Sequence, residues 1–322
     1  YAGGIEAYGT STNLNVNNCS IWGNEAKSGG GGIYIRKGTQ MFMRNSIVAY
    51  NVLTDYSHGG GVWAQHTKTK VYIWNSLFEH NEAKSMGGGI ACAERAECKI
   101  YSSIFQYNKK GGIYAGNLST SPAKYTLSLN DVTVQFNYDR GGVDCSYGSS
   151  CKIMNSVVRN NSGYSGAGIR CSCKELRVDS SIIGGNKAEN KGGAIYIEAK
   201  MGSKDPDHIL VVRNSSFPNN KAGTTGDMFY YYKQQDTTGD PYHKPIVKLI
   251  NNIYPKQLHH SSIGGTGTIH NCTHIKCGDY NYPQDSMCTT LLKPSKGIIC
   301  AQNCTSGYSK TGKLNETCTK CT

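Results

Sequence analysis

The chain has 322 residues, 39 of them glycine and only 8 proline, and charged residues make up 17% of it. That composition excludes a disordered chain and a helix-rich one, and no apolar run approaches the roughly 20 residues of a membrane helix. The net charge of +12 is scattered with no basic run longer than two residues, so no recognisable nucleic-acid motif is present; what remains is a solvated basic surface, or one that meets acidic polysaccharide.

Taken in order, the chain repeats itself. It opens with "GGI" ending at Ile5, and the first corner, "IWGN", ends at Asn24. "VAYN" at Asn51, "FEHN" at Asn81, "FQYN" at Asn108 and "VQFN" at Asn137 follow, then "VRNN" at Asn161, "IGGN" at Asn186 and "FPNN" at Asn220. The steps between these asparagines are 27, 30, 27, 29, 24, 25 and 34 residues. After each comes a polar turn and a second signal: "GGI" at Ile33, "GGV" at Val62, "GGI" at Ile90 and Ile113, "GGV" at Val143, "AGI" at Ile169 and "GGAI" at Ile195. Two signals locked in phase predict a repeat fold.

The segments between the marks are short, alternating and rich in β-branched and aromatic residues, as in "IYI", "VWA", "MFM" and "VYI". Sustained helical periodicity is missing, and leucines are too few for leucine-rich repeats. The prediction is an all-β chain, a parallel β-helix of about nine or ten coils spaced about 4.8 Å apart. Alternation directs Ile33 and Ile35 inward and Tyr34 outward, giving an inward column Ile35, Ala64, Cys92, Ala115, Cys145, Cys171 and Ile197. A second strand is expected to carry "NS", as at Asn45-Ser46 and Asn75-Ser76. The corner Asn is expected to bond along the stack and to take left-handed backbone.

The regular repeats run to about residue 230, and the predicted β-helix covers 1–270 with irregular last coils. Residues 271–322 are predicted to be a small module held by disulfides. The chain opens inside a repeat and stops inside "CTKCT", so both ends are expected to be cut from a longer, processed protein.

Fuller repeats read F-x-x-N-x-A-x-x-G-G-A-I, as in "FEHNEAKSMGGGI" and "IGGNKAENKGGAI". This resembles the polymorphic outer-membrane protein repeats and related right-handed β-helix proteins. The resemblance implies a right-handed coil and a surface-exposed adhesive or structural rod. The tail "CAQNCTSGYSKTGKLNETCTKC" looks like the opening of an EGF- or growth-factor-receptor-like module.

Fourteen cysteines point to an oxidising compartment. Sequons at Asn18, Asn117, Asn160, Asn214, Asn271, Asn303 and Asn315 point the same way, to a secreted, N-glycosylated protein. Cys92/Cys98 and Cys145/Cys151 share one spacing across the same turn, which predicts local bridges. Cys171 and Cys173 are separated by one residue, so a mutual bridge would be strained and partners in other coils are expected. Cys272, Cys277, Cys288, Cys300, Cys304, Cys318 and Cys321 are the tail's disulfide candidates, and Cys19 has no local mate.

No catalytic, cofactor or metal residue is expected. The aspartates are scattered, no phosphate loop or nucleophile motif occurs, and the His of "SHGGG" reads as a solvent-exposed turn residue. Two outward aromatic rows are the candidate partner surface: Tyr34, Trp63, Tyr114 and Tyr196 on one strand face, and Tyr50, His80, Tyr107 and Phe136 just before the corner asparagines. The resulting expectation is a non-enzymatic structural or adhesive protein of a cell surface or extracellular matrix, such as a filament or surface-hair subunit. It would self-associate or bind other surface proteins. The alternative is a β-helix that binds or cleaves polysaccharide.

Overall fold

The structure, a computed structural model, describes residues 2–116, 125–146, 149–199, 209–233, 246–250, 252, 263–265, 267–273, 298–301, 308–310 and 318–320. One coil shows the plan. Ile33–Arg36 lies in a first wall, Gln40–Arg44 in a second and Ile47–Ala49 in a third. Each strand pairs in parallel with its counterpart one coil on: Ile33 with Val62, Gln40 with Lys70, Ile47 with Leu77. Among the described residues the first wall stacks ten strands, the second eleven and the third seven, and no helix occurs.

The core is the inside of this three-walled tube. The predicted inward column from Ile35 to Ile197 pairs rung by rung and is buried throughout. Met43, Ile73, Ile100, Leu129, Ile153 and Val178 face it from the second wall. Val48, Phe78, Phe105, Val134, Val158 and Ile183 close the third side, with Phe78 and Phe105 stacked at 4.4 Å. Burying each large side chain contributes about 1.5–3 kcal/mol before entropy is counted.

Asparagines bind the coils together at the exit from the third wall. The Asn108 side-chain oxygen accepts from the backbone N–H of Asn81 at 3.0 Å and from its Nδ2 at 3.1 Å. Asn108 Nδ2 in turn donates to the Phe78 carbonyl at 3.0 Å and to Asn137 Oδ1 at 2.9 Å. All four side-chain bonding capacities are used, which is what lets a polar group sit at 0% exposure. The same links join Asn24, Asn51, Asn81, Asn108, Asn137, Asn161, Asn186 and Asn220 without a gap.

The glycines stay in phase with this ladder because they touch it. A Cβ on Gly142 would lie 2.8 Å from Asn161 Nδ2 and 2.9 Å from the Gly168 carbonyl oxygen. Any side chain there would displace the ladder.

Three expectations about the corners are corrected. The ladder asparagines do not take left-handed backbone; the residue before each does, with φ of 55° at Tyr50, 52° at His80, 54° at Tyr107 and 55° at Phe136. The fixed amide ladder sets the turn, so the preceding residue must absorb the reversal. The "NS" pairs lie past the second-wall strand, at the corner to the third wall, where Asn45, Asn75, Asn155 and Asn214 have φ of 48–50°. The serine after each forms a second ladder: Ser46 N–H donates to Ser76 Oγ at 3.2 Å, and Ser156 N–H to Ser181 Oγ at 3.1 Å. Val132 interrupts that column, having no side-chain acceptor.

The third correction concerns sulfur. Cys92–Cys98 and Cys145–Cys151 are bridged as predicted, at the turn between the first and second walls. Cys171 pairs with Cys173, not with another coil. The chain bends at Cys173 and Lys174, just past the strand, and the two cysteine Cα atoms lie 5.0 Å apart with both side chains buried, within the range a disulfide spans. Cys19 is free and exposed. Cys277, Cys288, Cys304 and Cys321 lie outside the described residues, and Cys272, Cys300 and Cys318 fall in the strands Gly267–Thr273, Ile298–Ala301 and Cys318–Lys320.

Asn108→Ala would strand two donors of Asn81, the Phe78 carbonyl and one lone pair of Asn137. A loss of about 3 kcal/mol or more is expected from groups left unpaired in the interior. Asn45→Ala, at an exposed left-handed corner, should cost only about 1–2 kcal/mol. Thermal melting of both variants checks the order, and equal midpoints would refute the ladder's role.

Candidate functional site

The outward column of the first wall is fixed by register. It reads Glu6, Tyr34, Trp63, Ala91, Tyr114, Asp144, Arg170, Tyr196 and Tyr230. As a candidate partner surface it would have to be open, and at two of its tyrosines it is not: Tyr34 is 5% exposed and Tyr114 1%. Trp63 and Tyr196 are half-buried. Tyr34 stacks on Trp63 at 4.9 Å, its hydroxyl donates to Gln65 Oε1, and the Arg36 guanidinium lies 5.2 Å from its ring.

His58 completes the cover and overturns a second expectation, because this turn histidine is 4% exposed. Its ring lies 5.6 Å from Tyr114, nearly parallel, and 5.7 Å edge-on from Trp63. Trp63 and Tyr114 are two rungs apart with Ala91 between them. The imidazole therefore fills the space that a larger residue at Ala91 would occupy. Burial first, and the nearby Arg140 charge second, push His58 down to about 4.

Past Tyr114 the seam becomes ionic. Asp144, 4% exposed, accepts from Ser146 Oγ at 2.7 Å and has Arg140 Nη1 at 3.9 Å. Arg170, the next rung, donates to Glu198 Oε2 at 3.0 Å and lies 6.0 Å from the Tyr196 ring. Four buried polar atoms along this line have no hydrogen-bond partner: His58 Nδ1, Trp63 Nε1, Asp144 Oδ2 and Arg170 Nε. Sequence reasoning missed this seam. Its parts come from six strands and the loop that carries His58, and only the register brings them together.

The seam lacks one arrangement that hydrolysis of a glycosidic bond uses. Asp144 has Tyr114 and Arg170 as rung neighbours, and no strand pairing among the described residues sets two carboxylates on adjacent rungs. Nor do the described residues hold a group of three or more His, Cys, Asp or Glu placed to bind a metal.

The second row is open. Tyr50, Tyr107 and Phe136 are 46%, 40% and 37% exposed, and His80 is exposed with them. Tyr50–His80, His80–Tyr107 and Tyr107–Phe136 stack at 4.8, 5.1 and 5.2 Å with planes within 10°. Trp22 extends the row at one end, 5.6 Å from Tyr50. Ile47, Ile104 and Ile182 are exposed on the adjoining third wall. The ring faces are spent on each other, so the row presents edges and hydroxyls, not flat platforms.

Of the sequons, Asn18, Asn160 and Asn214 are exposed and occupy left-handed corners, with φ of 53°, 54° and 50°. Asn271 falls in the strand Gly267–Thr273, and Asn117, Asn303 and Asn315 lie outside the described residues.

The buried imidazole makes stability depend on pH. His58 stays neutral in the folded chain down to about 4, whereas an unfolded histidine takes its proton at 6.5. Between these values the unfolded state binds more protons, so stability is highest above 6.5 and falls as pH drops, by about 3 kcal/mol once pH reaches 4. His58→Phe keeps the ring and should remove that part of the slope. Denaturation midpoints of both proteins from pH 7.5 to 4 check it.

The family profile described as "Right handed beta helix region" matches residues 3–225, more than half of the 322. Neither the curated proteins nor the solved structures gave a match. The stacked parallel walls and the profile agree: the chain belongs to the right-handed β-helix family.

Proposed function

We propose that this β-helix is a structural or adhesive rod of an extracellular surface, without a catalytic step of its own. It associates along the exposed aromatic corner row with a second copy or another surface protein, as a filament or surface-hair subunit would. One observation carries the reading. The corner position before each ladder Asn is left-handed, and Gly23, Asn160, Gly185 and Asn219 fill it where the residue suits the backbone. On four consecutive coils it is filled by Tyr50, His80, Tyr107 and Phe136, at about 1–2 kcal/mol each. Stacking returns about 0.5–1.5 kcal/mol for each of the three pairs, so it offsets only part of that strain. Bulky rings held at strained, solvent-exposed positions with no net stabilisation are what a contact surface requires.

Secretion and N-glycosylation fit the same reading. Three disulfides sit in the coils, and Asn18, Asn160 and Asn214 stand in solvent. The resemblance of the F-x-x-N repeats to adhesive outer-membrane repeats, and of the Cys-rich tail to growth-factor-receptor modules, supports it too. The second reading, a β-helix that binds or cleaves polysaccharide, draws on the seam, where Asp144 Oδ2 and Arg170 Nε are buried without a hydrogen bond.

Sedimentation of the native glycoprotein should show concentration-dependent association. Tyr107→Asn/Phe136→Asn should weaken it at least tenfold while moving stability by no more than about 1 kcal/mol, because relief of backbone strain offsets lost stacking. A strict monomer at high concentration, or association unaffected by the pair, would remove the proposal. New reducing or unsaturated ends after incubation with polygalacturonate would favour the second reading.

A further inference from the structure

The second wall carries an aromatic array that neither row above includes. Its outward columns place Phe42, Tyr72 and Lys99 on successive rungs, and Arg44, Trp74 and Tyr101 beside them. Phe42 stacks on Tyr72 at 5.3 Å and Trp74 on Tyr101 at 5.6 Å, with planes within 10°. Tyr72 and Trp74, on one strand, are 6.0 Å apart and also nearly parallel. All four rings therefore stand on edge, stacked along the rod axis. Cations close the stacks: the Arg44 guanidinium lies 4.6 Å from the Trp74 ring and Lys99 Nζ 5.8 Å from that of Tyr72.

This orientation decides what the face can hold. Flat sugar rings and nucleic-acid bases bind aromatic faces, and here both faces of Tyr72 and Trp74 and one face each of Phe42 and Tyr101 are already occupied. What points outward is the ring edge, the positive end of the aromatic quadrupole, together with two phenol hydroxyls. The charges agree. Arg44 is exposed and Lys70 half-buried, and among the described residues neither is in an ion pair. Glu97 is the rung neighbour of Lys70 but its carboxylate is bonded to Lys99 Nζ at 2.7 Å. Lys152, exposed and in no ion pair among the described residues, continues the face on a later rung. The rung spacing of about 4.8 Å is comparable to the length of one pyranose in an extended chain.

The geometry points to the outer face of the second wall as a binding platform for an acidic polysaccharide, its carboxylate or sulfate groups meeting Arg44, Lys70 and Lys152 over the edges of Phe42, Tyr72, Trp74 and Tyr101. The platform is independent of the corner row and of what that row contacts.

The full chain is titrated with heparin as the sulfated probe, polygalacturonate as the carboxylated one, dextran as the neutral one and a single-stranded oligonucleotide. At least one acidic polysaccharide should bind, dextran should not, and the better of the two names the anion. Arg44→Ala/Lys70→Ala should weaken that binding at least tenfold and flatten its salt dependence, because two counterion-releasing contacts are gone. Lys27→Ala/Lys187→Ala makes the same charge change at exposed sites off this wall and should leave affinity within twofold. Unchanged melting of both variants excludes misfolding. No binding of either polyanion overturns the proposal. So does an equal loss in the two double variants, which would mean net charge alone, or an oligonucleotide that binds more tightly than both polymers.

Discussion

The buried amide ladder is the constraint on which the rest depends. A hydrophobic core alone would let coils slide, because one apolar side chain packs against another in several registers. An Asn whose four bonding capacities reach the coil before and the coil after cannot slide without orphaning several buried groups. Once the ladder fixes register, every other column follows: the aliphatic interior, the serine ladder, the stacked rings and the three disulfides at one edge. In a fold where each coil touches only its neighbours, local register is the whole of the architecture.

Much of this was legible in the residues, for a physical reason. The Asn and Gly series run in phase because a ladder amide of one coil occupies the space beside a glycine of the coil before, as Asn161 does beside Gly142. The inward column from Ile35 to Ile197 follows from alternation alone. What alternation cannot report is whether an outward side chain meets water. Tyr114 points away from the core and is still buried, because a histidine from a loop 56 residues earlier in sequence lies on it. Ala91 was the only trace of that arrangement, a small residue in a row of large ones.

Backbone strain was misassigned for a related reason. Asn tolerates left-handed backbone, so a corner Asn invites that assignment. The ladder needs the Asn for its amide, and the reversal falls on the residue before it. The disulfide between Cys171 and Cys173 was discounted from spacing alone; alternation already sets both side chains on one face, but it does not reveal that the backbone brings their Cα atoms to 5.0 Å. Ring orientation lies further out of reach. Nothing in "MFM" or "VYI" says whether the aromatic residue lies flat or stands on edge, and that determines which ligands the second wall can accept.

The left-handed corners also govern where sugar could stand. Each wants Asn, and the residue after it wants Ser, so a hydroxyl one position further makes an acceptor triplet. Asn18 and Asn214 have it, in Ser20 and Ser216, while Ile47, Leu77 and Val157 withhold it at Asn45, Asn75 and Asn155. The greasy strip from Ile47 to Ile182 thus lies between two sequons, and a third, Asn160, occupies the very next rung beyond Phe136. Bulky, hydrated chains planted there would act as bookends, leaving a docking molecule a window of about four rungs, roughly 20 Å, in which to settle.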